Sequence, residues 1–374
     1  MKKIISLIFL LTFILFFLTG CYDAISLEKY HYAIALGIDT SDSTKLKLIV
    51  QIASSNNSSD SSSSQSTNTE IFSVDCDSIN LGLNIINNYL SKKINLSHCS
   101  AIIYSEEFAK KGIKDTINAL ANNPEIRPNC HILISNSKAL DILENISNSG
   151  EQFSSRYYDF VINSVESTGY SFQSEFSQFF YAINNDSEIP IANYINLNKE
   201  AVQSVGIALF KNAKFEYYLD SLNSLAHLIV SNRLKETVIS IPNPIDTSSN
   251  IDITLKSGKS KTTNKIKILN GKPFISTNVS LTGKITNMPY FIDNENLALI
   301  EKNLNFYLKD IIENYYYTII KKYNLDLNNF SKMLSSQYLT TTSFNKLNWD
   351  QLYKDSFYNV SVISKLYTSL YTKK

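Results

Sequence analysis

The chain of 374 residues is poor in the residues that mark several large protein classes. It contains only four cysteines, ten glycines, seven prolines and one tryptophan. Beyond Cys21 the remaining cysteines are Cys76, Cys99 and Cys130. This odd number at irregular spacing matches no zinc ribbon or redox pair, and no disulfide framework is needed. We therefore expect buried thiols that behave as small apolar side chains.

An excess of charge of one sign is also missing. The 35 basic and 34 acidic residues give a net charge of +1 and are spread along the whole chain. Proteins that bind nucleic acid concentrate lysine and arginine in a patch or stripe that neutralises phosphates. The sequence therefore predicts no nucleic-acid partner.

Catalytic and cofactor motifs are absent as well. The chain has no G-x-S-x-G, no H-E-x-x-H and no G-x-G-x-x-G. Ser257–Ser260 ends like a phosphate-binding loop, but Ile253 stands where that motif requires its first glycine, so we predict a hairpin turn between two strands there. No acidic and basic side chains concentrate in one motif either. We predict a protein that is not an enzyme and binds no cofactor.

Two histidine–cysteine pairs, His98–Cys99 and Cys130–His131, precede neighbouring strands and invite comparison with a metal site. Neighbouring residues of a strand point to opposite faces, so each pair offers at most one ligand. Two ligands rarely hold zinc. We predict no metal site and interpret both cysteines as buried thiols.

The first residues carry an export signal. Lys2 and Lys3 precede an apolar run from Ile4 to Leu18, which has the length of a secretory signal and is too short for a typical spanning helix. The run ends in Leu18-Thr19-Gly20-Cys21, and polar sequence follows at once. We predict a signal peptide over residues 1–20.

The end of this segment resembles the lipobox of bacterial lipoproteins. It implies that the Cys21 thiol receives diacylglycerol and becomes the mature N-terminus with a further acyl chain such as palmitate, which anchors the chain to the outer face of a membrane. An uncleaved anchor helix and a secreted protein with a chance cysteine remain open as alternatives. No other lipid or cofactor is expected.

Hydrophobic patterning divides the rest of the chain into three mixed domains of the α/β (α+β) class. Alternating strand and helix patterns fill an N-terminal domain over 21–195, which includes a polar, disordered loop at 54–69. A small middle unit, with two strands and a helix, covers 196–235. The C-terminal domain, 236–374, is predicted to be an antiparallel sheet covered by one long helix that begins at Asp293 and runs for about thirty residues.

A loop with two prolines separates a predicted helix from a predicted strand at Pro124-Glu125-Ile126-Arg127-Pro128. The prolines restrict the backbone and fix the directions of Glu125 and Arg127. These side chains form either a structural ion pair or cap that orients the loop, or a contact for a ligand or partner. The structural role is our preferred interpretation.

Motifs along nearly the whole chain resemble one family, the C-subunit lipoproteins of spore germinant receptors, also called the Ger(x)C or GerAC-like family. The similar segments are Leu18–Cys21 with Tyr22-Asp23, Gly37-Ile38-Asp39, Leu96-Ser97-His98, Ala101–Glu107, Ala109–Ile113, Pro124–Arg127, Gly206–Lys211, Asp326, Trp349-Asp350 and Val360–Val362. The chain departs from the family at Tyr22, where tryptophan is frequent, and in the serine-rich loop, which has the character of an insertion.

The resemblance implies a lipoprotein on the outer face of the cell membrane, which in the spore is the inner membrane. It also implies assembly with the integral-membrane A and B subunits of a receptor for nutrients, and a non-catalytic role as a scaffold. The alternative is an exported solute-binding lipoprotein of a transporter, which requires two similar lobes around a hinge. A surface hydrolase is the third hypothesis and has the least support.

Overall fold

The protein is described by a computed structural model. It describes residues 3–5, 9, 13, 29–53, 69–148, 168–170, 172, 174–185, 188–198, 201–256, 258, 260–287 and 292–368. Most of the predicted signal peptide and all but one residue of the predicted serine-rich loop lie outside these ranges, as does Cys21.

Among the described residues, the first sheet has nine strands in the order β3-β2-β1-β5-β6-β7-β8-β9, with the short β4 paired to β1. Its centre is parallel, from β1 through β5 and β6 to β7, and its two ends are antiparallel. The strands are β1 Tyr30–Asp39, β2 Leu46–Ala53, β3 Thr69–Cys76, β4 Lys93–Asn95, β5 Ala101–Ser105, β6 His131–Ser135, β7 Ile191–Asn198, β8 Ala201–Lys211 and β9 Lys214–Leu219.

Helices pack on both faces of this sheet because its central strands are apolar on both sides, as parallel strands usually are. All five residues of β5 are buried. One face packs against α1, α2, α3 and α5, and the other face packs against α4. These helices are α1 Ile79–Asn87, α2 Glu106–Lys111, α3 Lys114–Ala121, α4 Ala139–Asn148 and α5 Phe176–Ile183.

One predicted helix of this region is two helices in the structure. The apolar residues from Ala109 to Leu120 have helical spacing, but α2 ends before Gly112 and α3 begins at Lys114. Gly112 has a φ of 120°, a backbone angle that stops a right-handed helix and that glycine adopts without strain. The break lets Ile113 donate its N–H to the carbonyl of Ala213 after β8.

In the part of the chain that the structure describes, the second sheet has five strands in the order β10-β11-β13-β12, with β14 paired to β13. One face of each strand is buried and the other is largely exposed, which gives the alternation expected of a sheet covered on one side. The strands are β10 Glu236–Pro242, β11 Asn250–Lys256, β12 Lys261–Leu269, β13 Lys272–Ile285 and β14 Phe357–Thr368.

A long helix covers the buried face of this sheet, as the sequence predicts. Helix α7, Asn294–Tyr316, continues as a π-helix over Tyr317–Lys322. Asp293 caps its start by accepting a hydrogen bond from the backbone N–H of Asn296 at 2.7 Å. The apolar stripe of the helix, including Ile300, Leu304 and Leu308, is fully buried. Helix α6, Ser221–Val230, packs beside it, and three short helices follow: α8 Phe330–Ser335, α9 Thr341–Asn345 and α10 Trp349–Lys354.

The predicted hairpin between β11 and β12 at Ser257–Ser260 is wrong in its pairing. Neither strand bonds to the other, because both pair with β13: β12 along Lys272–Ser280 and β11 along Gly283–Ile285. The fourteen residues of β13 give it enough edge for both neighbours. Its other edge takes β14 in parallel, so this sheet of antiparallel pairs ends in one parallel strand.

The α/β (α+β) fold class and the C-terminal sheet with its long helix are confirmed. Strands β8 and β9, which fall in the predicted middle unit, extend the first sheet through β7. Ile207 and Leu209 on β8 belong to the same apolar cluster as α6, α7 and the second sheet. The domain boundaries at 195 and 235 stay a prediction.

Candidate functional site

The predicted lipidation site, Cys21, lies outside the described residues. The described chain resumes at residue 29, and β1 begins directly afterwards at Tyr30. Within the described ranges, no helix combines the length and the apolar character needed to cross a bilayer.

The Glu125 carboxylate is tied to the segment that follows β4. Its Oε2 atom accepts a hydrogen bond from the backbone N–H of Leu96 at 2.8 Å, and its Oε1 atom accepts one from Asn95 Nδ2 at 3.1 Å. The N–H of Glu125 donates to Asn123 Oδ1 at 2.9 Å. Glu125 therefore joins two loops that are 29 residues apart in sequence, as a cap would.

Arg127 is exposed, and no ion pair between Glu125 and Arg127 is found in the described part of the chain. The sequence allows two structural roles for this loop, an ion pair and a cap. The hydrogen bonds of Glu125 are those of a cap. An open groove of about 380 Å³ lies beside it, lined by Leu83, Ile94, Glu125 and several asparagines. Glu125 is thus both a loop tether and part of a polar surface, and Arg127 is an exposed residue of the same loop.

The two histidine–cysteine pairs bring their sulfur atoms close together. Cys99 and Cys130 are buried, and their Sγ atoms lie 3.9 Å apart. The hydrogen bond with the neighbouring Cys99 sulfur, together with burial, raises the pKa of the Cys130 thiol well above its usual value. His98 packs against the ring of Tyr32. No group of three or more metal-ligating side chains occurs in the described ranges.

A second polar constellation lies in the apolar core between the sheets, where sequence reasoning assigned no role. His227 on α6 is 2% exposed, and its Nδ1 atom lies 2.8 Å from the hydroxyl of Tyr315 on α7. Asn328 Nδ2 donates to the same hydroxyl at 3.0 Å. Burial lowers the pKa of His227 to about 3, helped by the positive charge of Arg233, so the imidazole is neutral.

His227 also lines a cavity of about 270 Å³ at the junction of the two sheets. The cavity is bordered by Glu188 in the segment before β7, Arg233 after α6, Asn264 on β12 and Asn328 after the π-helix. Pockets for small ligands are frequent at such junctions. A lone histidine in an apolar run gives no signal of this site in the sequence.

Two aspartates that lie outside the helices accept hydrogen bonds from the first backbone N–H groups of a helix. Asp39, at the end of β1, accepts hydrogen bonds from the N–H groups of Ala139 and Leu140 at 2.7 and 3.1 Å, which caps α4. Asp326 does the same for α8 through Phe330 and Ser331. Burial raises the pKa of both carboxyls despite these bonds. Both aspartates lie in segments that carry the resemblance noted from the sequence.

Two family models match the chain nearly end to end. The model described as the spore germination protein N-terminal domain matches residues 23–197. The model described as spore germination B3/GerAC like, C-terminal, matches residues 205–369. The chain belongs to the GerAC-like family of spore germination proteins.

Relatives of this GerAC-like protein cover almost its whole length. YfkR of Bacillus subtilis (strain 168), named as a putative spore germination protein, is 24% identical in an alignment that covers 95% of this chain and 94% of YfkR. Spore germination protein KC of the same organism is 22% identical over 94% of this chain and 92% of its own length. The crystal structure of the GerBC protein aligns with a TM-score of 0.58 and 17% identity over 88% of this chain and 96% of GerBC, which shows the shared fold.

These similarities confirm the predicted family, a role in spore germination as a component of a germinant receptor complex, and a membrane-associated role. They also confirm a protein that is not an enzyme. The solute-binding alternative is not favoured. In the described ranges of this GerAC-like protein one sheet has nine strands and the other has five, so its halves are not the similar lobes that such a binder requires.

Proposed function

We propose that this chain is the lipid-anchored, non-catalytic subunit of a spore nutrient germinant receptor. Diacylglycerol and acyl chains on Cys21 hold it on the outer face of the inner spore membrane. There it assembles with the integral-membrane A and B subunits as a scaffold. The lipid supplies the attachment, and the folded body supplies the surfaces that meet the other subunits.

The observation that carries this proposal is the position of the lipobox relative to the family match. The match begins at residue 23, directly behind Cys21, and the first strand begins at Tyr30. A chain acylated at Cys21 therefore has a short tether between the membrane and the first sheet. Two or more acyl chains give a stable anchor, whereas one gives only marginal binding.

The scaffold role is supported by what the described body offers. No metal-ligating cluster occurs in the described ranges, and the Glu125 carboxylate accepts hydrogen bonds from the backbone N–H of Leu96 and the side chain of Asn95. Arg127 on the same loop is exposed. An exposed arginine on a stiff loop suits a contact with a partner subunit.

The test is purification of the tagged protein from the membranes of dormant spores, in wild type and in Cys21→Ala. We expect the wild-type protein to remain with the membranes and to carry two integral-membrane subunits with it. The variant should lose membrane retention and nutrient-triggered germination, while circular dichroism shows an intact fold.

Cys76→Ala is the matched control, since it removes a thiol outside the lipobox and should leave membrane retention unchanged. Equal membrane retention of Cys21→Ala would contradict the anchor. Retention of the wild type without any integral-membrane partner would contradict the receptor assembly.

A further inference from the structure

The second sheet has one face that the rest of the described chain leaves open. Helix α7 packs against the other face, and neighbouring residues of a strand point to opposite sides of a sheet. In β12, β13 and β14 the inward residues therefore alternate with exposed or half-buried ones. We call the open side the outer face. It consists of the odd-numbered residues of β12 and β14 and the even-numbered residues of β13.

Lysine is the only charged residue type on the outer face. Its lysines are Lys261, Lys265, Lys267, Lys272, Lys284 and Lys365. In the ranges that the structure describes, none of these lysines belongs to an ion pair. The adjoining strands β10 and β11 add Asp252 and one pair, Lys256 with Glu236 at 3.0 Å. The outer face thus presents positive charge that its own side chains do not neutralise.

Exposed apolar side chains stand among these lysines. On β14, Phe357, Ile363 and Tyr367 are 57%, 63% and 49% exposed. The strand register places Ile363 opposite Ser280, which in turn lies opposite Lys261 on β12. Basic and apolar groups therefore share the same rows across the sheet.

Two lysines of the outer face contact aromatic rings. Lys267 Nζ lies 5.9 Å from the ring centre of Phe274, its neighbour across the strands, and Lys272 Nζ lies 5.6 Å from that of Phe357. The long stem of a lysine covers apolar surface while its ammonium group stays in water. This arrangement suits the boundary of a bilayer, where rings enter the headgroup layer and ammonium groups meet phosphates.

The helix on the other side of this sheet is mainly acidic. The charged residues of α7 are Glu295, Glu301, Asp310 and Glu313 against Lys302 and Lys309. The whole chain is nearly neutral, with 35 basic and 34 acidic residues, so the excess of lysine on the outer face is local. Charge divided in this way turns the outer face toward an anionic surface.

We propose that the outer face binds the surface of an anionic lipid bilayer. The fourteen residues of β13 span about 45 Å, and Lys272 and Lys284 lie near its two ends. A small anion would reach only one or two of the lysines, whereas a layer of anionic headgroups meets them all. Phe357, Ile363 and Tyr367 enter the same layer.

Lipid fits this face better than the other large anionic partners. Protein interfaces are depleted of lysine and enriched in arginine, and the outer face has no arginine. Nucleic acid supplies phosphates but no apolar layer for Ile363. The inference goes beyond the proposed function, because it gives the folded body a membrane contact that does not depend on Cys21. This contact is reversible and sensitive to salt, so Cys21→Ala should still be lost from membranes washed with salt.

The test is lysine footprinting of the full chain, purified in detergent and reconstituted into vesicles. One set of vesicles contains phosphatidylcholine alone, and the other contains equal parts of phosphatidylcholine and phosphatidylglycerol. A reagent that acetylates amines and does not cross bilayers, read by peptide mass spectrometry, measures the accessibility of each lysine. We expect Lys261, Lys265 and Lys365 to react about fivefold more slowly on the anionic vesicles. Lys302 and Lys346, which are exposed outside the outer face, should react equally on both.

Salt and charge variants identify the cause of the protection. At about 1 M sodium chloride the difference should disappear, because the screening length falls to about 3 Å. Lys265→Gln combined with Lys267→Gln should abolish the protection of Lys261 and Lys365, since each lysine contributes a factor of about five to binding an anionic surface. Lys302→Gln combined with Lys346→Gln is the matched control and should leave the protection unchanged. Circular dichroism checks that both double variants are folded.

Several results would overturn the proposal. Equal reaction rates on neutral and anionic vesicles would show that the outer face does not bind anionic lipid. Protection that both double variants reduce equally would place the contact elsewhere. Stronger protection by double-stranded DNA than by anionic vesicles would assign the face to nucleic acid. Protection that appears only when integral-membrane receptor subunits are added would assign it to a protein partner. None of these results bears on the mass of the residue 21 terminus, so the lipid anchor is tested separately.

Discussion

The Sγ atoms of Cys99 and Cys130 lie 3.9 Å apart in the core between β5, β6 and the helices that cover them. They are free thiols, 2% and 1% exposed, at the starts of two neighbouring parallel strands. The two thiols fill space in the apolar core, at the point where the loops before β5 and β6 meet.

The thiols of this pair should be inert while the chain is folded. Thiolates are the reactive form, and the hydrogen bond with Cys99 together with burial raises the pKa of Cys130 well above its usual value. We expect iodoacetamide to leave Cys99 and Cys130 unmodified in the native chain from residue 22 onward, and to modify both in urea. Peptide mass spectrometry measures this. Rapid labelling in the native protein would show that the pair is accessible.

Glu125 should contribute to stability through its loop contact. Glu125→Ala removes the acceptor of the Leu96 N–H, and we expect a loss of about 1–3 kcal/mol in the free energy of unfolding. Arg127→Ala on the same loop is the control and should change stability by no more than about 0.5 kcal/mol, as exposed substitutions do. Urea unfolding followed by circular dichroism compares the two. Equal effects would contradict the tether.

His227 should make stability depend on pH. Its pKa is lowered to about 3 in the folded chain from 6.5, so its contribution is complete above pH 6.5 and is lost as the pH falls towards 3. At pH 5 the loss is about 2 kcal/mol.

Asp39 and Asp326 have raised pKa values and act in the opposite direction. Comparison with His227→Gln therefore isolates the histidine. The variant should lose about 2 kcal/mol less than the wild type between pH 7 and pH 5 in urea unfolding. An unchanged pH dependence would show that His227 does not govern it.

Gly206 should tolerate no side chain. A Cβ at this position would overlap the carbonyl oxygen of Leu219 on the neighbouring strand β9. Gly206→Ala should lower the free energy of unfolding by about 1–3 kcal/mol, since the backbone must move to relieve the overlap. Gly258→Ala is the control, because a Cβ there meets no atom within 4 Å. Thermal unfolding of both variants measures the difference. Equal midpoint temperatures for Gly206→Ala and Gly258→Ala would contradict the predicted clash.

Much of the fold follows from local patterns. Period-two alternation predicts β10 to β13, and the stripe of Ile300, Leu304 and Leu308 predicts the long helix. Which strands pair with each other is harder to predict from the sequence. The alternation of apolar and polar residues in β11 and β12 is the same whether these strands pair with each other or with β13. The sequence predicts a structural role for Glu125, as an ion pair or a cap, but carries no signal for Leu96 as its partner. The His227 cavity depends on three elements meeting, for which the sequence has no periodic signal.

The most direct test of the account is the mass of the mature N-terminus, measured on protein extracted from spore membranes. We expect the N-terminal peptide to begin at Cys21 and to carry diacylglycerol, with residues 1–20 removed. A peptide that begins at Met1, or an unmodified Cys21 at the N-terminus, would contradict the lipid-anchored subunit.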